Sequence, residues 1–373
     1  MVIKKDVIVV GGGGAGANIA RLLSDQLDPS LHTLTLINAR PFTVFLPATV
    51  RMAVTDEGNL EEQILIPFDR LLSKRLGEVR VGKVVAIEED RPGAGGHVVL
   101  AGGDKLHYDV LVLTPGTALD GPLAYPDTKE ETLAFIKEWR RKFRDANHIV
   151  MAGGGPVNIE LAGEIKEYWP EKKVTIVQSR KLPLHPSYPD RFRSRVEKEC
   201  KARGIEFVFE DYLDQEVPKD GAVTTRSGKR LVVDMVVVSR GGTPSTGFIK
   251  NFDSSIVTER GFVRTHPSLE VITHPGIFCA GDVVDNEERN GLGKYERHAA
   301  VVIANVLDHL NGRALSRTYK ARSSVDTITL TLGKSGGVAF SRRFGGTIWG
   351  NWVVWFRISR TLYVPQARRR MGY

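Results

Sequence analysis

The chain has 373 residues, more than the about 250–300 that a single core usually holds, so two or more domains are expected. With 42% hydrophobic residues, 26% charged residues and 38 glycines, it is neither disordered, collagenous nor a disulfide-stapled scaffold. Net charge is +8, and the excess is local: residues 313–373 hold twelve Lys or Arg against one acid, Asp326, so the rest of the chain is slightly negative.

Val7-Ile-Val-Val10 is a buried strand entering Gly11-Gly-Gly-Gly-Ala-Gly16, and apolar spacing from Ile19 through Leu22 and Leu23 predicts a helix after it. A second strand, Leu34–Ile37, ends at Asn38. The same order returns at Ile149–Ala152, Gly153-Gly-Gly155, a helix through Leu161 and Ile165, and a strand Val174–Val177. Two such units make a duplicated α/β architecture, not a solenoid. Tyr108–Gly116, a strand stopped by Pro-Gly, and its echo Met235–Gly241 are the two crossings between units. The expected division is 1–116 and 242–315 for a discontinuous first domain, 117–241 for the second, and 316–373 for a C-terminal module. In that module Thr327–Leu332 alternates as a strand does, and an aromatic run, Trp349 to Trp355, follows.

The spacing Gly11-x-Gly13-x-x-Gly16 gains weight from its setting between a strand and a helix. Gly11 permits the tight turn, Gly13 lets backbone approach a pyrophosphate, and Gly16 lets helix and strand pack closely. The diphosphate then lies on a helix N-terminus. A carboxylate normally follows the second strand to meet ribose hydroxyls; Asn38 can bond a diol but adds no charge. In the second unit Gly153-x-Gly155-x-x-Asn158 has a side chain where the third glycine belongs, and its second strand ends Gln178-Ser179-Arg180. No acid there would repel a 2′-phosphate, and Arg180 can accept one or be merely solvated. Ile277-Phe-Cys-Ala-Gly-Asp282 places an acid at a strand end, where it can meet a ribityl hydroxyl of a flavin.

From Val7 to about Leu315 this combination resembles the glutathione-reductase-like flavoproteins with two Rossmann-like dinucleotide-binding domains. Gly153-Gly-Gly-Pro-Val-Asn-Ile-Glu-Leu-Ala-Gly-Glu164 resembles the apoptosis-inducing-factor family, and Ser359–Val364 its ferroptosis-suppressor branch. The resemblance implies an α/β fold with an FAD-binding domain, an NAD(P)H-binding domain and a small C-terminal α+β module. It implies that Gly11, Gly12, Gly13, Gly14, Ala15, Gly16, Arg51, Val84 and Asp282 hold FAD, with Asn38, Arg40 and Gly116 beside them. Gly153, Gly155, Pro156, Gln178, Arg180 and Gly241 are the candidates toward NADH or NADPH. Glu160 aligns with a carboxylate near nicotinamide and flavin, and the implied activity passes hydride from NAD(P)H through FAD to quinones. Thr114-Pro115-Gly116 replaces an Ala-Thr-Gly pattern. His298 lies close enough in sequence to Asp282 to reach the acceptor side of the flavin or to be structural.

Cys200 and Cys279 form no Cys-x-x-Cys pair, which excludes a disulfide relay and fits a reducing compartment. Electrons must then leave the flavin directly. A quinone acceptor at an anionic membrane surface is the leading expectation. A nucleic-acid-binding or cell-death-signalling flavoprotein with a basic tail, and a ferredoxin or monodehydroascorbate reductase, are the alternatives. No apolar run reaches the ~20 residues that span a bilayer. The early first strand leaves no room for a signal or transit peptide, and Val2 removes N-myristoylation. An intracellular protein, soluble or peripheral on a membrane, is expected, with Arg368-Arg-Arg370 as its exposed point of contact. Oligomeric state has no signal in the sequence.

Overall fold

Val7 to Val10 are buried because strand Lys5–Val10 lies at the centre of a five-stranded parallel sheet, where both faces are covered. His32–Asn38 and then Glu78–Val81 lie on one side of it, Val110–Leu113 and then Ile277–Cys279 on the other. A second parallel sheet runs Ile205–Phe209, Lys173–Gln178, His148–Ala152, Met235–Val238. Each central strand turns through its glycines into a helix, Gly14–Gln26 in the first unit and Pro156–Tyr168 in the second. Between the sheets, Thr117–Ala118 and Thr243–Pro244 pair antiparallel, so the chain leaves and re-enters the first unit at one place. The computed structural model describes residues 3–72, 76–239, 241–286, 288, 291–322 and 327–373; Val2, Arg240 and Asp326 lie outside the described residues.

Two expected elements are divided. Tyr108–Gly116 breaks at Asp109: Lys105–Tyr108 closes an antiparallel meander with Val84–Glu89 and Gly96–Leu100, and Val110–Leu113 enters the parallel sheet. The break is fixed where the Asp109 carboxylate accepts the Asp6 N–H at 2.6 Å. The aromatic run splits at Gly350 into strand Thr347–Trp349, helix Asn351–Val354 and a π-turn Trp355–Ser359.

The C-terminal module joins both units. Its antiparallel strands Thr327–Thr331, Gly337–Ser341 and Thr347–Trp349 send Leu330, Val338 and Phe340 into the core of the second unit. Its last helix, Val364–Arg370, sends Ala367, and just beyond it Met371, into the core of the first. Arg368 donates to the Gln63 carbonyl at 3.2 Å and Arg370 pairs with Glu296 at 2.7 Å. The Arg368–Arg370 cluster is therefore corrected from a free contact face to a partly docked one, because the helix that carries it is anchored by apolar burial. Among the described residues no helix is long and apolar enough to cross a membrane.

Helix Pro156–Tyr168 can lie against this module only because residue 163 is glycine. A Cβ there would stand 2.5 Å from the Leu332 Cα. Alanine at 163 gains about 1 kcal/mol of helix propensity but meets an overpacking cost of about 1–3 kcal/mol against backbone that cannot rotate away. Gly163→Ala is expected to lower the thermal midpoint and to speed proteolytic cleavage of the C-terminal module, read by calorimetry and limited trypsin digestion.

Candidate dinucleotide and electron-transfer site

The two glycine loops are built alike. Gly11 and Gly153 take φ +100° and +99°, and their N–H groups donate to Ile37 and Val177 carbonyls, each at 2.8 Å. The Gly12 N–H donates to Asn38 Oδ1 at 2.7 Å, and the Gly154 N–H donates to Gln178 Oε1 at 3.1 Å. An amide at the end of each second strand thus holds the middle of each loop. The Asn38 Nδ2 also donates to the Arg40 carbonyl at 2.8 Å, and Gln178 Nε2 to the Leu182 carbonyl at 3.0 Å. Gln178 is buried. Its place at the ribose position is corrected to a role in holding the loop, because the side chain points back at Gly154. Arg180 is exposed just beyond that strand.

The loops differ at the third glycine. A Cβ on Gly16 would lie 1.8 Å from the Gly11 carbonyl oxygen, so only glycine fits. The Gly11 and Val10 carbonyls accept instead from the Thr114 hydroxyl at 2.9 and 2.8 Å. At the equivalent place in the second unit, Asn158 is fully buried and its amide donates to the Ala152 and Gly153 carbonyls at 3.0 and 2.8 Å. The side chain that replaces glycine supplies the donor that Thr114 supplies in the first unit. Gly13 N-caps helix Gly14–Gln26 with no side-chain hydrogen bond and open space at its Cβ position, while Gly155 caps the second helix with Pro156 at its start.

Asp282 follows Gly281, which takes φ +86°. Its Oδ2 accepts from the Tyr295 hydroxyl at 2.8 Å, while Oδ1 is buried without a hydrogen-bond partner. Burial raises the pKa of Asp282 and lowers that of Lys294, and the charge of each opposes the shift in the other. The Tyr295 ring lies against Gly14, with a would-be Cβ there at 2.9 Å, so it closes one side of the first loop beside Ala15. Val84 is buried at the start of its strand, beside the link in which the Gly82 N–H donates to the Asn38 carbonyl at 2.8 Å. A loop with uncapped N–H groups and an unpaired buried carboxylate oxygen fits the diphosphate and hydroxyls of FAD.

Two of the expected residues also hold the fold together. His298 is 0% exposed, its Nδ1 accepts the Gly281 N–H at 3.1 Å, and its ring packs edge-on to Tyr319 at 4.3 Å. Burial, with Lys294 and Arg297 nearby, holds its pKa down at about 3, so the ring is neutral and supports the Gly281 turn, while its Nε2 is buried without a hydrogen-bond partner. Arg51 is 5% exposed; its guanidinium pairs with Glu164 at 2.9 Å and donates to the Ser359 carbonyl at 2.7 Å. It ties the first unit to the second and to the C-terminal module, and its Nη2 is buried without a hydrogen bond of its own. Arg40 likewise donates to the Pro126 and Tyr125 carbonyls at 2.7 and 2.5 Å, tying the second strand to the segment that leaves for the second unit. Gly116, at φ +69°, receives the Ser245 N–H at 2.9 Å, and Gly241, at φ +99°, is exposed at the return crossing.

Glu160 is half-buried, one turn into the second helix; its Oε1 accepts from the Thr331 N–H and hydroxyl at 3.0 and 3.1 Å. Burial pushes its pKa up to about 7, and Glu164 adds to this while Thr331 and Arg51 oppose it. Both cysteines are free and buried, Cys200 in the second unit's core and Cys279 in the first's, and burial raises both thiol pKa values. Thr114, Tyr295, Glu164 and Thr331 were not among the expected site residues. Thr114 carried a signal in its departure from the Ala-Thr-Gly pattern, and Glu164 in its position four residues after Glu160.

Residues 5–304 match the pyridine nucleotide-disulphide oxidoreductase family model, and the chain belongs to that family. A relative from Flammulina velutipes, an FAD-dependent oxidoreductase FVFD30, is 36% identical over 86% of this chain and 99% of its own. Ferroptosis suppressor protein 1 of Taeniopygia guttata is 28% identical over 98% of this chain and 95% of its own. Among solved structures, the sulfide:quinone oxidoreductase of Aquifex aeolicus shares the fold, with TM-score 0.75, 18% identity, and coverage of 98% of this chain and 91% of that one. The chain is an oxidoreductase of the kind that uses FAD and NAD(P)H.

With Gln178 turned inward, Arg180 and Lys181 are exposed cations just beyond the second strand of this unit. NADH and NADPH are expected to be accepted within about tenfold of each other, or about 1.4 kcal/mol. Arg180→Ala should raise KM for NADPH more than for NADH, as steady-state kinetics with both donors will read.

Proposed function

We propose that the protein passes hydride from NAD(P)H to FAD in its first unit and on to a quinone, acting at an anionic membrane surface. The observation that carries this reading is the pairing of two glycine-loop units with two thiols buried in separate cores. The family's disulfide chemistry has no thiol relay here, so electrons leave the flavin directly to a small acceptor. A quinone, the acceptor named for the Aquifex aeolicus enzyme that shares this fold, is the acceptor proposed. FAD, when bound, supplies the two-electron chemistry. The chain's own residues orient it: the Gly11–Gly16 loop receives the diphosphate on free N–H groups, Asp282 offers Oδ1 to a hydroxyl, and His298 and Tyr295 hold that turn in place. The second loop, Gly153–Pro156, receives the nicotinamide dinucleotide, and Glu160 stands one turn beyond it.

The membrane part of the reading rests on the C-terminal module. Trp352 and Phe356 are 75% and 62% exposed and stack at 6.5 Å, with Phe344 and Trp355 also exposed. Arg342, Arg343, Arg357 and Arg360 lie in the same stretch. Aromatic rings beside arginines suit the headgroup level of a bilayer, where each nearby cation contributes about 1 kcal/mol on an anionic surface.

Heating the purified protein should release FAD, and anaerobic NADH should bleach the bound flavin until a quinone restores its colour. Release of FMN, or of no flavin, would sink the reading. Changing Trp352 and Phe356 together to Ser should cut co-sedimentation with anionic vesicles at least tenfold, since each inserted aromatic ring contributes about 1.5–3 kcal/mol. It should slow reduction of a long-chain quinone held in the vesicles and leave a short soluble quinone unaffected. Loss of DNA binding with vesicle binding intact would transfer the basic module to a nucleic-acid role.

A further inference from the structure

Helix Pro156–Tyr168 presents two acids one turn apart to a single buried cation. Arg51, from the first unit, takes Glu164 at 2.9 Å. Among the described residues Glu160 is held by Thr331, the last residue of strand Thr327–Thr331, through both its N–H and its hydroxyl. Thr331 is itself buried at 2% exposure, so water does not replace these bonds easily. Farther out around this helix lie one ion pair and one carboxylate, Glu167, whose charge raises the pKa of Glu164. Lys334 pairs with Glu57 at 2.7 Å, the Tyr168 hydroxyl donates to Glu57 at 2.8 Å, and Glu167 accepts from Ser335 at 2.7 Å.

We infer that Thr331 is a positioning residue for Glu160, and that through it the C-terminal module fixes where this carboxyl points and the pH at which it gains its proton. The inference rests on the reading of Glu160 as the acid beside the nicotinamide. Two donors aimed at one oxygen favour the ionised form, against burial and the neighbouring Glu164, which favour the neutral one. With Arg51 committed to Glu164, the hydroxyl of Thr331 is a group in this balance that substitution can remove while the strand keeps its amide in place. The module that meets the proposed membrane surface therefore also touches the acid of the dinucleotide site.

The test uses the flavin-loaded protein as wild type, Thr331→Val, Thr331→Ser and Glu160→Gln. An infrared pH titration, read as the carboxylic carbonyl band that Glu160→Gln removes, gives the protonation of Glu160 directly. Stopped-flow reduction by saturating NADH across the same pH range gives its consequence. Thermal midpoints confirm that each variant is folded. In wild type the band is expected to titrate near neutral pH. Thr331→Val, which loses the hydroxyl but keeps the amide, should move the titration and the rate profile together to higher pH by about one unit. Thr331→Ser should restore both. A band that stays in place in folded Thr331→Val overturns the inference, even where Glu160→Gln flattens the rate profile and the reading of Glu160 stands. A band that moves while Glu160→Gln leaves the rate profile unchanged overturns the reading of Glu160, and the proposed role of Thr331 with it.

Discussion

The buried pair of Arg51 and Glu164 joins all three parts of the molecule. Arg51 comes from helix Thr49–Val54 of the first unit, Glu164 from the glycine-loop helix of the second, and the remaining guanidinium bond goes to the Ser359 carbonyl of the C-terminal module. Taking two charges out of water costs several kcal/mol per ion, and the attraction between them recovers little more than that. Burial accordingly raises the pKa of Glu164 against the pull of Arg51. Such a pair adds little net stability over well-packed apolar residues, but removing one partner leaves an uncompensated buried charge and costs about 3–5 kcal/mol. Its effect is registry: only one docking of the three parts satisfies both charges. Ala53 and Val54, on the same short helix as Arg51, lie in the core of the second unit, so apolar packing and the ion pair select the same arrangement.

Within that frame, three neutral amides hold the two glycine loops. Asn38 and Gln178 each accept the N–H of the second glycine in their loop, and Asn158 donates to the carbonyls that turn into the second helix. The second strand of each unit thus ends in an uncharged amide. Beyond the second of these strands, Arg180 and Lys181 are exposed.

The C-terminal module has two faces with different physics. Inward, it contributes apolar side chains to both cores and places Thr331 on Glu160. Outward, it carries most of the chain's basic excess together with Trp352 and Phe356, whose exposure leaves apolar surface in water. The terminal arginines belong partly to the inward face, since Arg368 and Arg370 bond to the first unit.

The two strand–glycine–helix units were legible in the sequence because their requirements are local. A turn at positive φ and a close helix–strand approach admit only small residues at Gly11 and Gly16, and the flanking apolar runs show what is buried. The lack of a thiol relay and the acid at the end of Ile277–Cys279 were equally plain. What tertiary structure alone decided is which polar groups meet. Arg51 finds Glu164 across 113 residues, and Glu160 finds Thr331 across 171. His298, near Asp282 in sequence, turns into the core to hold Gly281, and the break at Asp109 depends on an N–H from the opposite end of the first unit. Periodicity in a sequence reports how each element is buried, whereas a hydrogen bond or ion pair depends on distance in space, which is set only when the elements dock.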